Sequence, residues 1–246
     1  MSFLRKMFGP STDEVWRKLS DEIGGEFVDG GAWKTDMVTV HVDPWILTLD
    51  RYTISTGKTT VTFTRMRAPY VNRDGFRFTI SRKNLFTGIG KFLGMQDITI
   101  GDPAFDEAFV IKANNPSQVT ALLSSPRLRE LLLQQPGISL SVKDDEGMFG
   151  PAFNESVDEL YFSDQGVIKD IERLKQLFDL FAETLHQLCH IGSAYESDPS
   201  RPAVLPETDV LLRGSSASAN PDTLLRPAEG TEPPDSAQLP RASDKP

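Results

Sequence analysis

The sequence predicts an α+β fold: an antiparallel sheet of several strands, an N-terminal helix, short helices in the middle and a long C-terminal helix packed on the sheet. Three observations carry this. Apolar residues recur at helical spacing near both ends of the apolar part of the chain, and they alternate with polar ones over four successive segments in between. Three proline-led helix starts punctuate the middle.

The first helix is read from Thr12 to Ile23. Ser11 and Glu14 have capping-box spacing, Val15, Trp16, Leu19 and Ile23 share a face, and Gly24-Gly25 stops the pattern. The period then falls from about 3.6 to about 2. Val38, Val40 and Val42 alternate with Thr39 and His41, and Trp45, Leu47 and Leu49 follow. Val61 and Phe63 alternate with Thr60, Thr62 and Thr64, and Phe76, Phe78 and Ile80 alternate with Arg77, Thr79 and Ser81. Such strands put one face in a core and one in water, with the valines and aromatics inward. Turns are expected at Asp43-Pro44, at Thr56-Gly57 and from Asn72 to Gly75.

Asp102-Pro103, Asn115-Pro116 and Ser125-Pro126 each place a capping side chain before a proline suited to the first helical turn, so a short helix should follow each. Phe109 to Ile111, Ile138 to Val142 and Leu160 to Phe162 read as strands, with a turn at Asp144-Asp145-Glu146-Gly147. Val167, Ile171, Leu174, Phe178, Phe181, Leu185 and Leu188 then recur at spacings of four and three, and Leu177 and Leu180 widen the stripe. That width suits packing across a sheet; the rival use is a homotypic coiled coil.

Composition divides the chain into a flexible stretch at 1–10, one domain at 11–195 and a disordered, acidic tail rich in Pro, Ser and Ala at 196–246. From Glu196 onward there is no aromatic residue, and nine of the seventeen prolines lie there. Too little apolar surface is available to offset the ~1 to 2 kcal/mol per residue that ordering a backbone costs. The formal charge of −9 splits into −4 for the tail and −5 for the rest, which argues against a general nucleic-acid binder. With Cys189 as the single cysteine, internal disulfides and Cys-rich zinc sites are excluded. No run approaches the ~20 apolar residues that span a bilayer. Met1 to Pro10 lacks the apolar region of a secretory signal, so a cytoplasmic protein is expected.

Ser55-Thr56-Gly57-Lys58-Thr59 ends like a phosphate-binding loop, but Tyr52 stands where the motif needs its first glycine and a strand follows instead of a helix, so a hairpin turn is expected. Gly88, Gly90 and Gly94 miss the dinucleotide fingerprint by one residue. His186 and His190, with Cys189 between them, have the spacing of a metal-binding helix face, but Gln187 replaces a metalloprotease glutamate and no further ligand is evident. These three are the metal candidates, against a reading as ordinary helix-flank residues. The carboxylate pairs Asp106-Glu107, Asp144-Asp145-Glu146 and Asp158-Glu159 read as caps, turns and solvated faces. No catalytic residue and no cofactor is assigned.

The segment from Lys58 to Lys91 is locally basic. Arg65, Arg67, Arg73, Arg77, Arg82 and Lys83 form a candidate face for an anionic partner, with Tyr70, Phe86 and Phe92 interleaved. The competing reading is that they balance Asp97, Asp102, Asp106 and Glu107 within the same domain. Phe3, Leu4, Met7 and Phe8 lie opposite Arg5 and Lys6, a second element for a peripheral membrane contact.

Asp102-Pro103-Ala104-Phe105-Asp106-Glu107-Ala108-Phe109-Val110-Ile111, with Pro126, Leu128, Leu131 and Leu132 beyond, resembles a bacterial domain-of-unknown-function family. In that family an Asp-Pro-x-Phe segment enters a strand and a helix, followed by a hairpin and a further helix. The resemblance covers roughly Asp97 to His190. It implies a cytoplasmic module working at the membrane, because members often carry transmembrane helices ahead of the domain, which this chain lacks; it supplies no catalytic residues.

The functional expectation is a non-catalytic binding or scaffolding domain of a bacterial cytoplasm; its partner is left open between another protein and an anionic membrane surface. The alternatives are a peripheral membrane accessory protein that meets an anionic membrane surface through its N-terminus and basic segment, and an enzyme of unrecognised class.

Overall fold

The computed structural model describes residues 10–31, 35–55, 57–84, 96–144 and 156–200. In chain order the elements are α1 (Thr12–Ile23), β1 (Glu26–Val28), β2 (Met37–Val42), β3 (Trp45–Ser55), β4 (Thr60–Asn72), β5 (Phe78–Arg82), β6 (Gln96–Ile98), α2 (Pro103–Ala108), β7 (Phe109–Ala113), α3 (Pro116–Leu122), α4 (Pro126–Gln134), β8 (Ser139–Lys143), β9 (Val157–Gln165), α5 (Ile171–His190) and β10 (Ala194–Tyr195). The strands form one antiparallel sheet in the order β1-β2-β3-β4-β9-β8-β5-β7-β6, with β10 against the end of β4.

Local chemistry accounts for the helix boundaries. Ser11 Oγ accepts the Glu14 amide at 3.1 Å while Glu14 accepts the Ser11 amide at 3.3 Å, and Gly24 closes α1 at φ 67°. Asp102, Asn115 and Ser125 cap α2, α3 and α4, each ahead of its proline. The last helix starts four residues later than its apolar repeat, because Asp170 caps it by accepting the Arg173 amide. Ahead of that cap, Ile168 donates its amide to Thr64 Oγ1 at 2.9 Å and accepts from Trp16 Nε1 at 3.2 Å. The connection is thereby pinned to both the sheet and α1.

One core joins the helices to one face of the sheet. Leu47, Leu49, Met66, Ala68, Tyr70, Leu160, Phe162, Leu140, Phe78 and Ile80 meet Leu174, Leu177, Phe181 and Leu185 of α5 and Trp16 and Leu19 of α1. The long helix thus spends its stripe on this sheet, as its width predicts.

The expected inward face of β4 is corrected. Thr64, Met66, Ala68 and Tyr70 are buried on the helix side, so Val61 and Phe63 share the other face with Arg65 and Arg67. The alternation at its start misleads because β4 runs thirteen residues. Its first residues pair with β3 in a hairpin, with Ser55 opposite Thr60, and only the later even positions meet the core. Strands β1, β6 and β10, too short for a periodic signal, are additions to the expected set. The expected turn at Asp145 to Gly147, the glycines Gly88, Gly90 and Gly94, the N-terminal Met1 to Phe8 and the tail from Arg201 lie outside the described residues.

Candidate functional site

With the helices gathered on one side, the opposite face of the sheet carries its own set of side chains. Register fixes them: Thr48 faces Arg67, Asp50 faces Arg65 and Tyr52 faces Phe63 across β3 and β4. Arg67 in turn faces Tyr161 of β9, Tyr161 faces Ser141 of β8, and Glu159 faces Lys143.

Charge is concentrated at the centre of this open face. Arg65 Nε donates to Asp50 Oδ1 at 2.8 Å and its Nη2 to Oδ2 at 2.7 Å. Arg67 Nη2 reaches the same Asp50 Oδ2 at 2.8 Å, and its Nη1 lies 3.9 Å from Glu159. Asp50 is 4% exposed and Glu159 1%, so long cationic side chains overlie both carboxylates. Burial opposes the Arg65 charge, but the two-pronged contact with Asp50 outweighs it and moves the guanidinium pKa up.

Aromatic groups adjoin this centre. Tyr52 stacks on Phe63 with centroids 5.1 Å apart, Arg65 lies 5.1 Å over the Tyr52 ring, and Lys143 Nζ lies 3.0 Å over Tyr161. The Tyr161 hydroxyl donates to the Tyr52 hydroxyl at 3.5 Å, and burial together with that neighbour pushes its pKa well above the ordinary phenol value. Both ends of the face are apolar. Ile54, 47% exposed, stands opposite Val61 near the β3–β4 tip, and Ile46, 45% exposed, borders a groove with Pro44, Pro69 and Val157 at the far end.

The basic residues expected to form one face are dispersed. Arg65 and Arg67 come together on the open side, and Arg77 sits at the entry to β5, 2.8 Å from Asp144 and 3.9 Å from Asp158. Arg82 turns to the helix side, where it donates to the carbonyls of Leu133 and Gln135 at the end of α4 and lies over Phe109. Arg73 is exposed in the turn after β4, over the Tyr195 ring, and Lys83 is exposed just beyond β5. Neutralisation inside the domain occurs with partners other than the expected acidic run. Asp97 pairs with Lys112, Asp102 lies near Arg129, and Asp106 accepts the amides of Ile100 and Gly101.

Hairpin geometry also settles the Gly-Lys-Thr segment: Gly57 takes φ 79° in the turn that brings Ser55 opposite Thr60. His186 packs edge-on against Trp45 at 5.4 Å on the helix side, whereas His41 is exposed and alternates onto the open side, so the sheet separates them. Burial pushes the Cys189 thiol up to about 11. Among the described residues no three His, Cys, Asp or Glu are grouped to hold a metal ion, and no helix is long and apolar enough to cross a membrane.

Asp50, Tyr52, Glu159 and Tyr161 were not singled out from the sequence as site residues. Their signal was the polar phase of strands recognised for their apolar phase. Asp158 and Glu159, adjacent in sequence, point to opposite faces: Asp158 accepts from Asn72 Nδ2 at 2.5 Å on the helix side, and Glu159 approaches Arg67 on the other.

No protein-family model matches the chain, and no curated protein does. Among solved structures, the crystal structure of the mycobacterial trehalose monomycolate transport factor A, TtfA, is similar at a TM-score of 0.39 and 9% identity over 70% of this chain and 95% of that one. A likeness that distant assigns neither fold detail nor function.

Proposed function

We propose that this chain is a non-catalytic binding domain of a bacterial cytoplasm whose open sheet face docks a segment of another protein. One observation carries the reading: a face that no helix among the described residues covers, on which Asp50 and Glu159 hold Arg65 and Arg67, Lys143 lies over Tyr161, and Tyr52 stacks on Phe63. Side chains fixed by such contacts lose little freedom on binding, and aromatic and arginine groups contribute most to protein interfaces. The paired charges favour directional recognition of a polypeptide over bulk attraction to lipid or nucleic acid. The resemblance to a domain-of-unknown-function family over Asp97 to His190 belongs to the same proposal and assigns no reactive residue.

The test compares the immobilised full chain with a Tyr52→Ala/Phe63→Ala variant. A defined set of proteins retained by the first and lost by the second, at a Tm within a few degrees, is the expected result. Equal retention by both would sink the proposal. So would salt-sensitive sedimentation with anionic vesicles as the main binding activity, which would support a membrane role instead.

A further inference from the structure

Val28, Ile46, Ile54 and Leu133 are the large apolar side chains left exposed among the described residues, and two of them stand on β3 of the open face. Ile46 and Ile54 lie four residues to either side of Asp50, about 13 Å away at ~3.3 Å per residue. Between them the positions of β3 that share this face read Ile46, Thr48, Asp50, Tyr52 and Ile54. On β4, Arg67 stands opposite Thr48, Arg65 opposite Asp50, Phe63 opposite Tyr52 and Val61 opposite Ile54. The face therefore has an apolar end, an arginine row, a neutral Asp50–Arg65 centre, an aromatic row and a second apolar end.

That order is complementary to its own reverse. A two-fold axis between two copies, at right angles to β3 and level with Asp50, sets β3 on β3 and β4 on β4 with their directions opposed. Ile54 and Val61 of one copy then meet the groove of the other, which Pro44, Ile46, Pro69 and Val157 help to line and whose volume is about 260 Å³. Arg67 meets the Tyr52–Phe63 stack, whose centroids are 5.1 Å apart. Its donors point along the guanidinium edge to Asp50 and toward Glu159, and the flat face of such a group stacks on aromatic rings. Packed sheets keep their strands within about 30° of each other, so the apolar ends stay within side-chain reach.

Charge also points to a second copy. Asp50 and Glu159 offset Arg65 and Arg67 inside each molecule, so an acidic partner finds both guanidinium groups engaged, whereas two such faces meet without net charge. We infer that the open face pairs with the open face of a second copy about this two-fold axis. Nine residues of β3 and the width of β2, β3, β4 and β9 outline on the order of 500 Å² per copy, less than the ~800 Å² of a standard interface. The dimer is accordingly weak and exchanges with monomer. This goes beyond the docking proposed above, which uses the same face: copies must part to admit another protein.

Sedimentation velocity of the full chain, over about 5 to 500 µM, tests the pairing. The wild type is expected to move from monomer toward dimer as concentration rises. Ile46→Lys and Ile54→Asp should each stay monomeric, because both symmetric contacts then set a charge against an isoleucine. An equal mixture of the two variants should regain a dimer, since one contact becomes Lys against Asp and the other keeps its two isoleucines. A wild type that stays monomeric throughout overturns the inference, as does a dimer that either single variant leaves intact. A mixture that fails to associate overturns it too. So does recovery by Ile46→Lys with Ile46→Asp in its place, which would set like positions together. None of these outcomes depends on which proteins the Tyr52→Ala/Phe63→Ala variant retains.

Discussion

Arg65 grips Asp50 with two parallel hydrogen bonds, 2.8 Å from Nε to Oδ1 and 2.7 Å from Nη2 to Oδ2, across the β3–β4 register that places the two residues opposite one another. Arg67 adds a third donor to the same carboxylate. Removing Asp50 therefore strands the Arg65 guanidinium and leaves Arg67 to Glu159, both arginines being only about one-fifth exposed. Asp50→Ala should cost roughly 3 to 5 kcal/mol in urea unfolding, the range for breaking a buried pair from one side, and Asp50→Asn less because it retains an acceptor. The surviving Asp50→Ala protein should also gain salt-sensitive retention on heparin that the wild type lacks.

That arrangement was half legible in the sequence. The basic density from Lys58 to Lys91 is plain, and β4 alternation places Arg65 with Arg67. The counter-charges were not, because pairing depends on which strands become neighbours. β4 lies between β3 and β9, segments far apart in the chain, and only that order brings Asp50 and Glu159 beside the arginines. Asp102 and Asp106, the counter-charges expected from the sequence, serve local backbone caps instead.

A second polar cluster holds the turn after β4. Asn72 Nδ2 donates to Asp158 at 2.5 Å and to the Phe76 carbonyl at 3.1 Å, and its Oδ1 accepts the amides of Asp74 and Gly75. Gln118 of α3 joins Asp74 to Ser193 beyond α5. Asn72 is fully buried, so Asn72→Ala would withdraw partners from a buried carboxylate and several backbone groups at once. A loss of about 3 kcal/mol is expected by chemical denaturation, against about 1 kcal/mol for an ordinary hydrogen bond. An effect within 0.5 kcal/mol would show that the cluster contributes little.

The helical half was more readable than the strand half. Ser11, Asp102, Asn115 and Ser125 act within four residues of themselves, so their caps are written locally. The β4 face is decided elsewhere: Val61 and Phe63 look like inward residues until Met66, Ala68 and Tyr70 take the core. Phe181→Ala, which removes a fully buried ring from the α5–sheet contact, should cost about 3 to 5 kcal/mol, whereas Phe63→Ala should cost about 1 kcal/mol.

Asp13 gives a pH signature. Burial and then its neighbour Asp36 raise its pKa above the ordinary value of 3.8. A carboxyl whose folded pKa is raised binds its proton more tightly in the native state, so its favourable contribution is present below 3.8 and is lost as pH rises through the raised value. Asp13→Asn should therefore raise Tm at pH 7 and leave it unchanged near pH 3. Its position in the first turn of α1, where an acid normally helps, makes the opposite sign the natural alternative, and a lowered Tm at pH 7 would establish it.

Cys189 provides a probe of native packing at the end of α5. The thiolate is the reactive form, and burial first, then the Glu196 carboxylate, moves the thiol from an ordinary 9.0 to about 11. At pH 8 that shift reduces the thiolate fraction about a hundredfold. Iodoacetamide should consequently label Cys189 at least about 100-fold more slowly in the native protein than in urea. Replacing Glu196 with Gln should recover only a minor part of the difference, because burial is the larger cause. Native labelling as fast as that of the unfolded chain would show that the end of α5 opens readily and would remove the basis for placing this thiol in the packed layer beneath the sheet.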